Sequence, residues 1–387
     1  MKKIVILGST GSIGTSLINI LKEDKSKFKI ILITANSNYK KLIKQTKYFN
    51  IKNIIITDKK SYLITKKILK DKKINIYNNF NSLAKIFKDK KVDYTMGAIS
   101  GFEGLKPTLD IIKFSKVIAI ANKESIICGW SLIKRELKKY KTQFIPIDSE
   151  HFSIFSLIEN YKKSNIEQVY ITASGGPFRS LPLNRFKFIR IKDALKHPNW
   201  TMGKKISIDS ATMMNKVFEI IEAKKIFDLN YNQLKIYVHS QSYIHAIVKF
   251  TNGLTKILIH DTNMKIPIFN SLYPKFEKKI KTNKLNRDIL NNLDLADVDV
   301  EKFPAVNLIN MLSEKDSLFE TILVSANDAL VDLFLNKKIN FTDITSELLR
   351  ISKLSEFKKY KSIQPRNIAQ IEQLAEYVSL KIYSLRI

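Results

Sequence analysis

The chain has 387 residues, 44% of them hydrophobic, and a formal net charge of +30 at pH 7. It is too long for one ordinary hydrophobic core, so we expect a globular protein of two or three domains. The charge does not indicate a nucleic-acid partner, because only eight of the 66 basic residues are arginines and the lysines are spread along the whole length.

Cys128 is the only cysteine of the chain. It excludes an intramolecular disulfide and a multi-thiolate metal site and fits a reducing compartment, so we expect a cytoplasmic protein. No apolar run approaches the roughly 20 residues of a membrane span, and the start Met1-Lys2-Lys3 leads into a strand without the apolar region of a signal peptide. We therefore expect neither a membrane nor a nucleic acid as a partner.

The first predicted element is a strand from Lys3 to Leu7, followed by a glycine-rich turn from Gly8 to Gly14 and a helical pattern from Thr15 to Leu21. This order is typical of dinucleotide-binding sheets, because glycines let the backbone approach a pyrophosphate at a helix start. The spacing GxxGxxG differs from GxGxxG, so an ordinary tight turn is the alternative.

The second predicted strand, Phe28 to Thr34, leads into Ala35-Asn36-Ser37-Asn38-Tyr39-Lys40-Lys41. An NAD site usually has an acidic residue here to hold the ribose 2′-hydroxyl, and its absence before two lysines favours NADP. Further strands at Asn53 to Thr57, Val92 to Gly97 and Lys116 to Ala121 alternate with helical patterns. We therefore predict an N-terminal, doubly wound, Rossmann-type parallel sheet.

Lys123 is the first candidate for chemistry, because Asn122-Lys123-Glu124-Ser125 follows a predicted strand where open α/β sheets present ligand-binding residues. A surface lysine is the alternative.

The second candidate is Pro146-Ile147-Asp148-Ser149-Glu150-His151, at the end of the apolar run 143–147. If this run is a strand, Asp148 and Glu150 point the same way, and two such carboxylates repel unless a cation lies between them. Oxygen ligands without cysteine suit Mg²⁺ or Mn²⁺. A solvated acidic turn is the alternative.

Two glycine- or proline-bounded segments follow. Ser174-Gly175-Gly176-Pro177-Phe178-Arg179, after the run Val169 to Thr172, offers either an anion-binding nest or a plain turn. The segment from His197 to Gly203, with an exposed Trp200, is predicted to be a lid that excludes water from a ligand.

A helix is predicted from Asp209 or Ser210, either of which can cap it, with Asn215, Glu219 and Glu222 on one face. A Ser hydroxyl, an Asn amide and the Lys216 ammonium at a helix start form a phosphate site, and Glu219 is placed to reach a metal beside it. The alternative is a Lys216 to Glu219 surface ion pair, which would contribute little to stability.

His239 and His245 lie in an alternating, strand-like stretch and so share one face. Core or supporting histidines are favoured over metal ligands, because no third nitrogen or sulfur ligand lies nearby.

The C-terminal part turns helical after a polar, irregular stretch from Pro274 to Val300, with patterns at Val306 to Leu312, Leu323 to Leu335, Ile344 to Leu354 and Pro365 to Tyr383. The expected α/β organisation is therefore an NADP-binding domain (1–148), a central α/β catalytic domain that binds metal and substrate (149–273), a linker (274–300) and a small helical domain (301–387).

These segments together resemble the 1-deoxy-D-xylulose 5-phosphate reductoisomerase family over nearly the whole chain. Gly8 to Gly14 is similar to its NADPH loop. The active-site segments of the family resemble Ala121-Asn122-Lys123-Glu124, Asp148 to His151, Ser174 to Arg179, His197-Pro198-Asn199-Trp200 and Asp209 to Lys216.

The resemblance implies a site in which three residues also act in catalysis, namely Lys123, Glu150 and His197. It implies metal ligands at Asp148, Glu150 and Glu219. It implies substrate contacts at Lys123, Ser149, Glu150, Ser174, His197, Ser210, Asn215, Lys216 and Glu219. It implies cofactor contacts at Thr10, Gly11, Ser12, Ile13, Ser37, Asn38, Asn122, Glu124, Met202 and Gly203.

Three departures from the family pattern stand out. Asn36-Ser37 replaces the usual Gly and basic residue, which bears on NADP selectivity. Val217 replaces a common Gly, and Ser325-Ala326-Asn327-Asp328 varies the usual Asn-Ala-Ala-Asn-Glu.

The implied activity is the NADPH- and metal-dependent rearrangement and reduction of 1-deoxy-D-xylulose 5-phosphate to 2-C-methyl-D-erythritol 4-phosphate, for isoprenoid precursors, by a homodimer. One alternative is another NADP-dependent sugar-phosphate or semialdehyde dehydrogenase; a semialdehyde enzyme acting through a thioester would need Cys128. The other alternative, a basic nucleic-acid-binding protein, would need clustered arginines and exposed aromatic residues.

Overall fold

A computed structural model of the chain describes residues 1–70, 72–200, 202–274 and 278–384. The chain divides into two compact units. The first contains Met1–Ser125, Leu132–Asp148 and Met264–Lys281, and the second contains Ile126–Ser131, Ser149–Asn263 and Thr282–Ile387. Among the described residues, none of the helices combines the length and the apolar character that crossing a bilayer requires.

The first unit is built on a sheet of seven strands in the order β4-β3-β2-β1-β5-β6-β7. Every neighbouring pair is parallel. The strands are β1 (Lys2–Leu7), β2 (Phe28–Ala35), β3 (Asn53–Ile56), β4 (Asn75–Tyr77), β5 (Tyr94–Gly97), β6 (Val117–Ile120) and β7 (Gln143–Pro146). The order reverses direction on either side of β1, which makes the sheet doubly wound.

Helices connect these strands, as a parallel sheet requires. They are α1 (Ser12–Lys22), α2 (Tyr39–Phe49), α3 (Lys59–Ile68), α4 (Leu83–Phe87), α5 (Leu105–Ile112) and α6 (Lys123–Tyr140). The segment Ile126–Ser131 of α6 is grouped with the second unit, and α11 (Lys265–Leu272) with the first. The predicted Rossmann-type sheet is confirmed. Its edge strand β4 was not predicted, because this strand has only three residues, which are exposed or partly exposed and form no apolar run.

The second unit contains a mixed sheet in the order β11-β10-β8-β9. Its strands are β8 (Ile166–Ala173), β9 (Leu234–Val238), β10 (Ile244–Phe250) and β11 (Thr255–Ile259). Its earlier helices are α7 (Ser149–Ile158), α8 (Ile191–Ala194), α9 (Lys204–Ala211) and α10 (Met214–Phe227). Apolar residues of α7, α10, β8 and β10 form one core, including Ile154, Val169, Ile220 and Val248.

The later part of the second unit is helical, as predicted. It contains α12 (Arg287–Asn291), α13 (Phe319–Leu335), α14 (Phe341–Ser352), α15 (Ser355–Lys358) and α16 (Ile368–Tyr383). The helical pattern predicted from Val306 to Leu312 forms a 3₁₀ helix, Pro304–Met311. Part of the expected irregular stretch, residues 275–277, lies outside the described residues.

The strand-like stretch from Tyr237 to His245 is not one strand. β9 ends at Val238, and a turn that includes Ser242, with a φ of +53°, separates it from β10. The single strand from which a shared face of His239 and His245 was inferred does not form, but both are core residues, as predicted, at 0% and 1% exposure.

Candidate active site

The glycine-rich turn after β1 is shaped by close backbone contacts. Gly8 has a φ of +79°, and a Cβ on it would lie 2.5 Å from the carbonyl oxygen of Ala98. A Cβ on Gly14 would lie 2.6 Å from the Cα of Ser9, so the loop can lie against α1 only if this residue is glycine. The predicted contacts Thr10, Gly11, Ser12 and Ile13 all lie in this turn and the first residues of α1.

The turn is also held from α2, which sequence reasoning missed. The Ser9 hydroxyl and the Gln45 carboxamide oxygen are 2.7 Å apart, and the Gln45 amide donates to the Ser9 carbonyl at 2.9 Å. Lys41, also on α2, donates from Nζ to the Thr10 carbonyl at 3.0 Å. A lysine ammonium therefore lies at the glycine-rich turn.

The residues between β2 and α2 are polar and uncharged, as predicted. Asn38 caps α2 by accepting the Lys41 N–H at 3.2 Å, and the Asn36 amide donates to the Thr57 hydroxyl at 2.9 Å. Ser37 is exposed, and its carbonyl accepts the Ser61 hydroxyl at 2.9 Å. Two of these three side chains are therefore engaged within the protein.

At the carboxyl end of β6, Asn122 and Lys123 have different tasks. The Asn122 side chain caps α6, accepting the Ser125 N–H at 2.5 Å, and its amide donates to the Gly101 carbonyl at 2.8 Å. Lys123 places Nζ 3.0 Å from Oδ2 of Asp148, and its side chain is only 13% exposed. The alternative of an ordinary surface lysine was wrong. Glu124 lies in the first turn of α6.

Three carboxylates lie close together where β7 leads into α7. One ligand oxygen from each of Asp148, Glu150 and Glu219 lies within 4.8 Å of the other two. The reason given from the sequence was wrong, because β7 ends at Pro146 and Glu150 is in the first turn of α7 rather than in a strand. The carboxylates of Asp148 and Glu150 therefore approach each other at a strand-to-helix turn.

Lys216 neutralises part of this carboxylate cluster. Its Nζ lies 2.8 Å from Oε1 of Glu150, donates to the Thr172 carbonyl at 2.7 Å, and is ion-paired with Glu219. Burial alone would lower the pKa of Lys216, but the two carboxylates outweigh it and raise the pKa above its ordinary value. The alternative of a surface Lys216 to Glu219 pair was wrong, because both side chains are buried.

Asn215 contacts the side chain of Glu219, and His151 contacts its backbone. The Asn215 amide donates to Oε1 of Glu219, one turn along α10. The His151 ring lies with Nε2 2.9 Å from the Glu219 backbone carbonyl and Nδ1 3.8 Å from Glu222. His151 follows Glu150 directly and is fully buried, but nothing in the sequence pattern indicated its partner on α10.

Ser174 and His197 come together after β8. Nδ1 of His197 accepts the backbone N–H groups of Asn199 at 3.1 Å and Trp200 at 2.9 Å, so the ring proton of a neutral His197 must be on Nε2. Nε2 lies 3.1 Å from the Ser174 hydroxyl oxygen and is its donor. Burial and the positive charge of Lys216 lower the pKa of His197 to about 4, so the ring is neutral near pH 7.

The Ser174 hydroxyl is consequently poised to donate. Its oxygen accepts from His197 and from the N–H of Gly176 at 3.1 Å, which leaves its own hydrogen for an acceptor. Gly175 and Gly176 have φ values of +78° and +65°, and Arg179 donates to the Ser174 carbonyl at 3.2 Å. Two consecutive residues with positive φ fold the segment tightly beside a hydroxyl donor, and that it binds an anion stays a prediction.

Asp209 and Ser210 do not cap a helix, so that prediction was wrong. They lie in the last turn of α9, and Met213, with a φ of +62°, separates α9 from α10. Asn215 and Lys216 are in the first turn of α10. The local pattern could not distinguish one helix from two, because the break at Met213 falls on an apolar residue.

The predicted lid is the loop between α8 and α9. Trp200 is partly buried rather than exposed, and its ring meets His245 edge-on at a centroid distance of 6.2 Å. His245 in turn stacks on His260 at 3.7 Å. Met202 is partly buried and Gly203 is the residue before α9, while Thr201 lies outside the described residues. That the loop closes over a ligand stays a prediction.

The fold and the site define a class of protein. A doubly wound parallel sheet with a glycine-rich turn after its first strand is the arrangement of dinucleotide-dependent α/β oxidoreductases, and three clustered carboxylates suit a hard divalent cation.

The comparisons with known proteins identify the family within this class. Residues 4–129 match the family model of 1-deoxy-D-xylulose 5-phosphate reductoisomerase, and residues 144–227 and 260–378 match models of its C-terminal domains. A reductoisomerase of Pelagibacter ubique is 65% identical over 100% of both chains, and one of Clostridium novyi is 37% identical over 94% of this chain and 95% of that protein. The chain belongs to the 1-deoxy-D-xylulose 5-phosphate reductoisomerase family.

Solved structures of reductoisomerases support the same family assignment. The reductoisomerase of Zymomonas mobilis in complex with NADPH matches with a TM-score of 0.88 at 31% identity, covering 99% of this chain and 98% of that one. A reductoisomerase in complex with NADPH, fosmidomycin and magnesium matches with a TM-score of 0.90 at 29% identity and the same coverage.

Proposed function

We propose that the chain converts 1-deoxy-D-xylulose 5-phosphate to 2-C-methyl-D-erythritol 4-phosphate, with NADPH as reductant and Mg²⁺ or Mn²⁺ as metal, in the non-mevalonate route to isoprenoid precursors. Membership of the family and relatives solved with NADPH and magnesium support this. The structural observation that carries it is the cluster of Asp148, Glu150 and Glu219. A simple sugar-phosphate dehydrogenase would not need such a cluster. A thioester mechanism is disfavoured because Cys128 is 1% exposed.

Asp148, Glu150 and Glu219 would hold the metal. The donor set fits Mg²⁺ or Mn²⁺, because it consists of carboxylate oxygens only. When bound, the ion supplies Lewis-acid polarisation of substrate oxygens. Lys216 now shares Glu150 and Glu219, so a cation at this cluster competes with the Lys216 ammonium for the same oxygens.

The substrate contacts of the protein divide into two groups. Lys123, Ser149 and Glu150 would contact the oxygenated carbons that react; the Ser149 hydroxyl already donates to Glu150 at 2.5 Å. The phosphate end would be bound by Ser174, His197, Ser210, Asn215 and Lys216. The tautomer of His197 supports this, because it makes Ser174 a donor toward an anion. Binding the unreactive phosphate supplies positioning energy to the reacting end.

The cofactor contacts would come from the glycine-rich turn, the segment after β2, the start of α6 and the loop before α9. They are Thr10, Gly11, Ser12, Ile13, Ser37, Asn38, Asn122, Glu124, Met202 and Gly203. The close packing at Gly8 and Gly14 fits a backbone shaped for a pyrophosphate. For Asn122 we propose a backbone contact, because its side chain is occupied by the cap of α6.

Lys41 is our choice for the cation that receives the 2′-phosphate of NADPH. Asn36-Ser37 provides no charge at this place, whereas Nζ of Lys41 is held beside the glycine-rich turn by the Thr10 carbonyl at 3.0 Å. Lys40 is exposed and serves as the matched comparison. An ammonium has three donors, so the Thr10 bond leaves two for a phosphate.

We further propose that the functional parts of the chain follow the division expected from the sequence, with cofactor binding in 1–148, catalysis in 149–273, a linker at 274–300 and helices in 301–387. The compact units support a boundary at Asp148, whereas they group Met264–Lys281 with the first unit. A cytoplasmic location is proposed because the chain has a single cysteine, Cys128, and therefore no intramolecular disulfide, which fits a reducing compartment.

A homodimer is proposed from the sheet of the second unit. The two edge strands of this sheet are β9 and β11. The edge strand β9 is hydrogen-bonded at Val238 to Ala296. At the other edge strand, Leu254 directly before β11 is 54% exposed, and Ile257 within β11 is 49% exposed. Exposed apolar edge strands invite pairing with another chain, and sedimentation equilibrium tests this directly.

The test of the function is NADPH oxidation in the presence of 1-deoxy-D-xylulose 5-phosphate. We expect oxidation that EDTA abolishes and that added Mg²⁺ or Mn²⁺ restores. Oxidation that is indifferent to EDTA would contradict the metal-dependent reaction and favour a simple dehydrogenase.

A further inference from the structure

A buried polar contact links two helices that lie far apart in the sequence. The Asn327 amide, on α13, donates to Oδ1 of Asp209, on α9, at 2.7 Å. Asn327 is 0% exposed and Asp209 is 3% exposed. Lys205 joins the same contact, with Nζ 3.3 Å from Asp209 and 2.9 Å from Asp328. The end of α9 is thus tied to α13 by one amide and one ammonium.

The buried contact between Asn327 and Asp209 is not an efficient source of folding stability. Removing a carboxylate from water is energetically costly, and a well-packed apolar pair of similar volume is often at least as stable. Its particular consequence is geometric, because a hydrogen bond fixes both the rotation of α9 about its axis and its position along that axis.

The fixed point lies directly beside the proposed phosphate contacts. Ser210 follows Asp209, and the backbone of Ser210 and Ala211 packs against Gly176, where a Cβ would lie only 2.8 Å from the Ser210 carbonyl. Gly176 in turn donates its N–H to Ser174 at 3.1 Å. A shift of α9 would therefore change the separation between the hydroxyls of Ser210 and Ser174.

We propose that Asn327, acting through Asp209, is a positioning residue that sets the affinity of the phosphate subsite. In this way a helix of the C-terminal part, which contributes no residue to the proposed site, controls the placement of Ser210. The inference rests on the proposed function, because it takes Ser174 and Ser210 as phosphate ligands. It also gives a role to the segment Ser325-Ala326-Asn327-Asp328.

The test compares three variants by their dissociation constant for inorganic phosphate, measured by calorimetry, and by KM and kcat for the sugar phosphate. Asn327→Leu removes the donor at similar volume. Asn327→Asp places a second carboxylate against Asp209. The double variant, Asn327→Asp together with Asp209→Asn, restores a hydrogen bond between an amide and a carboxylate with the two groups exchanged. Ser325→Ala is the matched control, because Ser325 is a 2% exposed polar residue of α13 whose hydroxyl has no hydrogen-bond partner among the described residues.

We expect Asn327→Leu to raise both the phosphate dissociation constant and KM about tenfold, with kcat and Mg²⁺ affinity within about twofold. Asn327→Asp should weaken phosphate binding further, and the double exchange should recover most of the loss. Ser325→Ala should bind phosphate as the unaltered protein does.

The inference is overturned if Asn327→Leu lowers the melting temperature while phosphate affinity and KM stay unchanged, because Asn327 would then be purely structural. Failure of the double exchange to recover any affinity, if that variant is folded, also contradicts it. Failure of the proposed function is recognised separately, because the unaltered protein would then not turn over the sugar phosphate at all.

Discussion

Replacing Glu219 by Gln tests the proposed metal site at its most buried ligand. Glu219 is 1% exposed, one of its carboxylate oxygens accepts from Asn215, and the other pairs with Lys216. Gln has nearly the same volume, and its amide oxygen can still accept from Asn215, so the change removes a charge with little change in packing.

The size of the effect follows from electrostatics. A unit charge 4 Å from another contributes roughly 4 kcal/mol at an effective dielectric constant of 20, and a divalent ion doubles this figure. If the Gln oxygen and water recover about two thirds of this interaction energy with the ion, roughly 2.7 kcal/mol of binding free energy is lost. This loss corresponds to a Mg²⁺ affinity that is about a hundredfold weaker. Lys216 keeps Glu150 at 2.8 Å and the Thr172 carbonyl at 2.7 Å, so the protein should stay folded.

The assay measures the Mg²⁺ dependence of NADPH oxidation together with Mg²⁺ binding by calorimetry. Glu222→Gln is the matched control, because Glu222 is 2% exposed on the same helix and lies outside the carboxylate cluster. We expect Glu219→Gln to need about a hundred times more Mg²⁺ and Glu222→Gln to need the normal amount. An unchanged Mg²⁺ requirement in Glu219→Gln would refute the assignment.

Three further outcomes are expected. Lys41→Ala should lower the kcat/KM preference for NADPH over NADH about tenfold, because a charge-assisted bond to the 2′-phosphate is lost; Lys40→Ala should leave the preference intact, and equal effects would contradict our choice of Lys41. In a Trp130→Phe background, saturating substrate should shift the emission of Trp200 and slow proteolysis of its loop, and an unchanged signal would show a fixed wall. The pKa of His197 lies near 4 in the folded protein and near 6.5 when unfolded. The neutral His197 ring therefore contributes to the free energy of unfolding fully above pH 6.5, and this contribution is lost as the pH falls toward 4. Urea unfolding across this range should therefore be less steeply pH-dependent in His197→Asn, and parallel profiles would contradict the lowered pKa.

The parts of the fold that sequence predicted well depend on short stretches of chain. The glycine-rich turn from Gly8 to Gly14 and the apolar strands around it carry their own periodicity and breakers, so the parallel sheet could be predicted from them. The same holds for α13, α14 and α16, whose bounds differ from the predicted ones by a few residues.

The errors arose where a short break interrupts a continuous pattern. The turn at Ser242, the end of β7 at Pro146 and the junction at Met213 each separate two elements that alternation or helical spacing had joined. In two of these places a non-glycine residue has a positive φ, a conformation that ordinary propensity does not predict.

The contacts that escaped prediction are long-range. His151 with the Glu219 carbonyl and Asp209 with Asn327 join residues 68 and 118 positions apart. Their formation depends on how α7, α9, α10 and α13 pack, which no local pattern encodes. Burial of Lys216 had the same origin, because it depends on carboxylates from α7 and α10 meeting the end of β8.

The most direct test of the central claim is the carbon skeleton of the product. The protein is incubated with 1-deoxy-D-xylulose 5-phosphate, NADPH and Mg²⁺, and the product is examined by NMR while NADPH consumption is followed. We predict a branched product, 2-C-methyl-D-erythritol 4-phosphate, with its methyl group on a carbon that bears no hydrogen and one NADPH consumed per molecule. NADPH consumption that yields only an unbranched, reduced sugar phosphate would contradict the rearrangement and leave a simple dehydrogenase.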